Sequence, residues 1–173
     1  SLSAFRRKKL LSTLQQTVPS TVSVYAEYVH FAELTQPLSE SAVETLQALL
    51  TYGPREEKTS TKGQLILVVP RPGTISPWSS KATDITHNCG LDQVVRVERG
   101  TAYYVQGEDS FTTQQLADLG AELHDRMVET VLDELQQAEI LFTHQEPAPV
   151  TSVDTLGGGV DALRKANSEL GLA

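Results

Sequence analysis

Apolar positions change their period several times along the chain, and each change marks an element. From Ser3 to Gln16, Phe5, Leu10, Leu11 and Leu14 fall along one side of a helix while Arg6, Arg7, Lys8 and Lys9 occupy the rest of its circumference. Pro19 ends that run. Val22 to Leu34 (VSVYAEYVHFAEL) is dense in β-branched and aromatic residues and predicts a long strand with one face more buried than the other. Within it His30 reads as a strand histidine with an ordinary hydrogen bond, because no second ligand stands two or four positions away. Pro37 with Ser39 or Ser41 then opens a helix, the second through the capping-box spacing to Glu44, and Val43, Leu46, Leu49 and Leu50 form its stripe. Gly53-Pro54 stops it, Arg55 to Gly63 reads as an exposed loop, and Gln64 to Val69 as a fully buried strand without alternation.

The stretch from Arg71 to Gly90 carries the clearest punctuation. Ser76 before Pro77 is a helix cap with proline at the first helical position, and Gly90 supplies a left-handed stop. Trp78, Ala82, Ile85 and Cys89 recur at helical spacing and predict a buried stripe, which leaves Ser79, Ser80, Lys81, Thr83, Asp84 and His87 on the opposite face. Val94 to Val105 predicts a second long strand, bent or bulged at Gly100. Thr112 with Gln115 opens a helix whose apolar period, Leu116, Leu119, Leu123, Met127, Val131 and Leu135, taken alone runs to Phe142. Glu146-Pro-Ala-Pro ends the packed region, Gly157 to Gly159 reads as a hinge, and Val160 to Leu170 as a short helix. Strands and helices therefore alternate. The two long strands, each followed by a capped helix, also suggest an internal duplication of about 70 residues.

Composition narrows the function classes. The 173 residues carry a net charge of -8, unevenly placed: Ser1 to Lys81 has 9 basic and 6 acidic residues, and Ala82 to Ala173 has 5 and 16. An acidic half of that size argues against nucleic acid or an anionic membrane as partner, since both attract a net basic surface. The Arg6 to Lys9 run has no interleaved aromatic or glycine residues and reads as a solvated helix face. The longest apolar run, Leu65 to Val69, is five residues against roughly 20 for a membrane span, and one cysteine cannot form an internal disulfide. A cytoplasmic location is expected.

Two constellations bear on chemistry. The loop Gly73, Thr74, Ser76 at a helix start, flanked by Arg71 and Lys81, has the parts of an anion site, although the spacing of a nucleotide-binding P-loop is missing. Two readings stand for it: a recognition role, or capping by Ser76 and Thr74 with solvated cations. His87 and Cys89 are two apart on a helix, so their side chains diverge by roughly 200°, and Cys89 is expected to be a buried small hydrophobe rather than a nucleophile. His124, Asp125 and Glu122 match neither zinc spacing nor a triad.

The string Pro70 to Gly90 (PRPGTISPWSSKATDITHNCG) resembles the N-terminal domain of the large, single-chain phosphoribosylformylglycinamidine synthases. Further resemblance lies in Leu2 to Arg6, Val24 to Ala32, Glu98 to Tyr104, Glu122 to Met127 and Pro149 to Asp154. This resemblance implies an α+β fold of duplicated ferredoxin-like units, antiparallel sheets packed on helices, similar to a dimer of the small bridging subunit of the multi-subunit enzyme. It further implies a helix broken near Glu129 to Leu132 by a strand, and a division into an assembly domain, residues 1–145, and the start of a hydrophilic linker domain, residues 146–173. The family's reaction joins formylglycinamide ribonucleotide, glutamine and ATP to give formylglycinamidine ribonucleotide, glutamate, ADP and phosphate. Its ATP and magnesium sites lie in later domains, so this stretch is expected to be a non-catalytic fragment of a longer chain, without cofactor. Its expected partners are the synthetase and glutaminase domains of the same chain, met through Arg71, Thr74, Ser76, Ser79, Ser80, Lys81 and Asp84. The alternative is a small phosphate- or nucleotide-binding regulatory module that uses the Arg71 to Lys81 loop.

Overall fold

The structure is a computed structural model that describes residues 3–52, 62–143 and 149–170. The Gly53-Pro54 helix stop, most of the Arg55 to Gly63 loop and the boundary placed at residues 145 and 146 lie outside the described residues. In chain order the elements are α1 (Ala4–Thr17), β1 (Thr21–Leu34), α2 (Glu40–Leu50), β2 (Gln64–Pro70), α3 (Pro77–Asn88), β3 (Val94–Gly107), α4 (Thr113–Leu123), β4 (Glu129–Leu132), a 3-10 helix (Gln136–Phe142) and α5 (Thr155–Leu170). No described helix is long and apolar enough to cross a membrane.

The local signals act where the chain places them. Ser39, not Ser41, caps α2 by accepting from Ala42 N–H, while Thr112 and Gln115 complete a reciprocal capping box at α4. Gly90 follows α3 with φ 78°, the left-handed turn that a glycine makes without strain. The helical period past Leu123 does not continue: α4 ends there, the β-branched Thr130 and Val131 enter β4, and Met127 is exposed. The break expected from the family resemblance is therefore present. Val160 to Leu170 is helical, separated from the turn before it by Gly159 at φ 56°.

The sheet is antiparallel with order β1-β3-β2-β4. β1 and β2 run parallel on either side of β3 and are joined by α2; β3 and β4 run parallel on either side of β2 and are joined by α4. The α+β architecture of an antiparallel sheet packed on helices is as expected. The described residues form one four-stranded sheet, in which the two β-α-β units interlock. β1 lies at an edge and β3 inside, so the two long strands do not occupy equivalent places.

One sheet face carries two core clusters. Leu14, Val18, Leu119 and Leu123 of α1, the turn after it and α4 pack on Val24, Ile66, Val68 and Val105; further along, α2 and α3 cover Leu91, Val94 and Val97. On the other face Ala138 and Leu141 of the 3-10 helix pack on Leu67, Val69 and Ala102. Phe5, grouped with the apolar side of α1 by its spacing, is exposed instead. Beyond the Val68-Thr101 pair β3 loses its β2 partner, and Val97 N–H donates to Thr83 Oγ1 of α3 at 3.1 Å. A helix side chain thus satisfies part of an open strand edge.

Gly100 sits in an uninterrupted stretch of the β1-β3 ladder, so the expected bulge is absent. Close approach explains the glycine: a Cβ there would stand 2.9 Å from Val69 Cγ1 and 3.0 Å from the Val68 carbonyl oxygen. Gly100→Ala is expected to destabilise the fold by about 1–3 kcal/mol through overpacking. Urea denaturation of the two proteins checks this, with an unchanged midpoint as the contrary result.

Candidate functional site

After β2 the chain turns at Gly73, φ 80°, and every hydroxyl in the turn is taken up by the fold. Thr74 Oγ1 donates to the Arg71 carbonyl at 2.6 Å. Ser76 Oγ accepts from Ser79 N–H at 3.0 Å and donates to Glu98 Oε2 at 2.9 Å, while Ser76 N–H donates to Glu98 Oε1 at 3.4 Å. A helix N-terminus attracts an anion, and here the chain supplies its own. Glu98 is wholly buried on β3 and pairs with Arg96 at 3.1 Å. Arg96 Nη2 also donates to the Leu141 carbonyl at 2.7 Å and the Thr74 carbonyl at 3.4 Å, with its guanidinium 5.3 Å from the Phe142 ring centre. This network joins β3, the 71–76 turn and the 3-10 helix.

The α3 face differs from the expected one. Ser79 and Thr86 are the buried residues, Ala82 and Trp78 are half-buried, and Ile85 and Cys89 are exposed. The helix is turned roughly a quarter of a revolution from the orientation its apolar stripe predicts. Small side chains explain the turn: Ser79, Thr83 and Thr86 let α3 lie close against β3, with Thr83 Oγ1 receiving the Val97 N–H and Thr86 Oγ1 bonding back to the Thr83 carbonyl at 2.7 Å. Ser79 is therefore withdrawn from the exposed set, and Cys89 is not the buried hydrophobe expected. Arg71, Thr74, Ser80, Lys81 and Asp84 are exposed and Ser76 is half-buried. Of these side chains, those of Arg71, Ser80, Lys81 and Asp84 have no partner among the described residues.

Two clusters were not legible in advance. Arg71 lines a cleft of about 430 Å³ with His124, Arg126, Glu129 and Thr130. His124 Nδ1 is hydrogen-bonded to the Gly120 carbonyl, which leaves Nε2 on the other side of the ring. The segment Glu122 to Met127 carries these residues, but only the β2-β4 pairing brings them beside Arg71.

The second cluster stacks where β1, β3, α3 and the end of α2 meet. Arg99 lies 4.4 Å from the Tyr28 ring centre and 4.9 Å from that of Trp78, and donates to Tyr52 Oη at 3.1 Å. His30 Nε2 bonds to the same hydroxyl at 3.0 Å, and its ring lies 5.4 Å from Trp78. This is the ordinary hydrogen bond expected for His30. Burial, with the Arg99 charge as a lesser cause, lowers the His30 pKa to about 4, so the ring is neutral near pH 7. Tyr28 and Arg99 belong to facing strands two rungs apart in register, a proximity no linear spacing reveals.

The family model described as formylglycinamide ribonucleotide amidotransferase N-terminal matches residues 27–142, about two thirds of the chain. The match spans β1 from Glu27 through the 3-10 helix, and so takes in the sheet, the Glu98-Arg96 network and the α3 face. The chain belongs to this N-terminal family of the purine-biosynthesis enzyme formylglycinamide ribonucleotide amidotransferase.

Proposed function

We propose that this domain is a non-catalytic assembly element of the amidotransferase, which holds the synthetase and glutaminase domains of the same chain in register. The supporting observation is the division of labour around α3. The Thr74 and Ser76 hydroxyls are consumed by the fold and Ser79 is buried, whereas the Arg71 guanidinium and the Lys81 ammonium stand exposed without an anionic partner among the described residues. Among the described residues, folding does not use these two charges. A guanidinium at the end of a buried strand is well placed to fork onto a neighbouring domain's carboxylate.

The alternative, a phosphate- or nucleotide-binding module built on the same loop, is weighed down by Glu98. Its carboxylate already takes the Ser76 N–H and Oγ, the groups that a bound phosphate would need. On the assembly reading, ATP and magnesium bind elsewhere in the parent enzyme, and this domain has neither ligase nor glutaminase activity of its own.

In the intact enzyme, Arg71→Ala and Lys81→Ala are expected to lower glutamine-dependent activity roughly fivefold or more, and ammonia-dependent activity less than twofold. Misplacing one domain against another damages ammonia transfer before ligation, and small displacements carry large rate effects. Paired steady-state assays with glutamine and with ammonium chloride measure this. Equal loss in both would assign the residues to the synthetase site, and no loss in either would leave them as solvated side chains.

A further inference from the structure

The apolar stripe of α3 is spaced for burial, yet the fold buries its neighbours. Ile85 is 46% exposed and Cys89 is exposed, while Ser79 and Thr86 take the inner face. An amphipathic helix that presents part of its apolar side outward meets the pattern of an interaction surface. Beside it runs a groove between α2 and α3, lined by Leu49, Leu50, Tyr52, Trp78 and Ile85, with a volume of about 250 Å³. Its floor is firm: Trp78 is stacked on His30 and Arg99, which Tyr52 and Tyr28 hold in turn. Lys81 lines the same groove and has no anionic partner among the described residues, and Asp84, one turn further along α3, does not line it.

Size and charge define what fits. Pockets for small ligands run from about 300 to 1,000 Å³ and enclose most of the ligand. This smaller, open groove suits one or two apolar side chains, the usual anchor of a protein segment. The Lys81 ammonium on its rim, without an anionic partner among the described residues, selects a carboxylate near that anchor.

We propose that the α2-α3 groove receives a protein segment bearing a large apolar side chain with an Asp or Glu about one helical turn away, the apolar group seated between Leu50, Trp78 and Ile85 and the carboxylate on Lys81. This rests on the assembly reading above and specifies its contact chemistry, the segment belonging to another domain of the same enzyme. The helix-in-groove mode supplies the affinity through the anchor and the register through the charge.

The test places the photo-reactive residue benzoylphenylalanine at position 85 of the intact enzyme, with its melting temperature as the folding control. The expected result is an adduct to a peptide of another domain that contains an apolar residue with Asp or Glu three or four positions away. Lys81→Glu should reduce adduct yield about tenfold, and Lys81→Arg should retain it. If the probe at position 85 prevents folding, the same probe at position 77, exposed on the same groove, replaces it and keeps Lys81 for the charge arm. Absence of an adduct, an adduct to a second copy of α3, or one to a peptide without an acidic residue overturns the proposal, as does a yield insensitive to Lys81→Glu. Any of these outcomes alongside a retained glutamine-selective defect in Arg71→Ala would sink the groove alone. The predicted adduct without that defect would instead remove the assembly reading's effect on ammonia transfer.

Discussion

Glu98→Ala is expected to lower the stability of the fold by about 3–5 kcal/mol, the range found when one partner of a buried ion pair is removed. The side chain is wholly buried, and its two oxygens receive the Ser76 N–H, the Ser76 hydroxyl and the Arg96 guanidinium. Alanine would leave the largely buried Arg96 charge without its counter-ion and take the acceptor from two Ser76 donors at once. Domains of this size are stable by only about 5–15 kcal/mol, so the loss is a large share of the whole. Glu98→Gln should cost less, because an amide oxygen still accepts from Ser76. Arg96→Ala and Glu98→Ala should couple rather than add, since each leaves the other stranded. Chemical denaturation of Glu98→Ala, Glu98→Gln, Arg96→Ala and the double alanine variant measures the two losses and the coupling. Strict additivity would mean that Arg96 is held by the Leu141 and Thr74 carbonyls alone. On the proposed assembly reading, the network fixes the turn that presents Arg71, so its loss should impair the glutamine-dependent reaction of the intact enzyme even where the domain stays folded.

Those parts of the fold that depend on local rules were readable from the chain. Ser76-Pro77, the Thr112 to Gln115 spacing and Gly90 are short-range devices, and each acts where it stands. The long strands followed from runs of β-branched and aromatic residues, independent of what they pack against. Period alone failed where tertiary contact decides. The apolar repeat from Leu116 passed through Met127 to Leu135, but His124 to Val128 turn the chain and Thr130 to Leu132 gain more as a fourth strand on β2. At α3 the stripe of Trp78, Ile85 and Cys89 predicted an inward apolar face, and a close fit of small residues against the β3 edge overrode it. Gly100 read as a bulge because a strand glycine carries no cue that separates bending from close approach. The candidate site was legible as a segment and not as a surface. Two readings of the turn hydroxyls stood open: Thr74 is spent locally on the Arg71 carbonyl, and only the distant Glu98 shows where the Ser76 hydroxyl proton goes. Likewise Arg99, Tyr28 and Trp78 converge from three elements and Tyr52 from the segment after α2, so no window along the chain contains the cluster.

That cluster sets a pH dependence. His30 lies among Trp78, Tyr52 and the Arg99 guanidinium, and burial lowers its pKa from 6.5 to about 4. In the unfolded chain the ring takes up a proton as pH falls through 6.5, whereas the folded state resists until about 4. Between those values the unfolded state binds more protons, so stability falls as pH falls. The His30 contribution is fully present above pH 6.5 and is lost progressively down to about pH 4, a change of at most about 3 kcal/mol at about 1.4 kcal/mol per pH unit. Water at the half-buried ring screens part of that figure. His30→Gln keeps a hydrogen-bonding group for Tyr52 and removes the titration. Urea midpoints of both proteins at pH 7 and pH 4.5 isolate the effect, because every other titrating group is common to the pair. The wild-type chain should lose more stability over this interval than the variant, by about 2 kcal/mol. Parallel pH profiles would mean that His30 is solvated or protonated in the folded state, and that the Arg99 stack tolerates a second positive charge beside it.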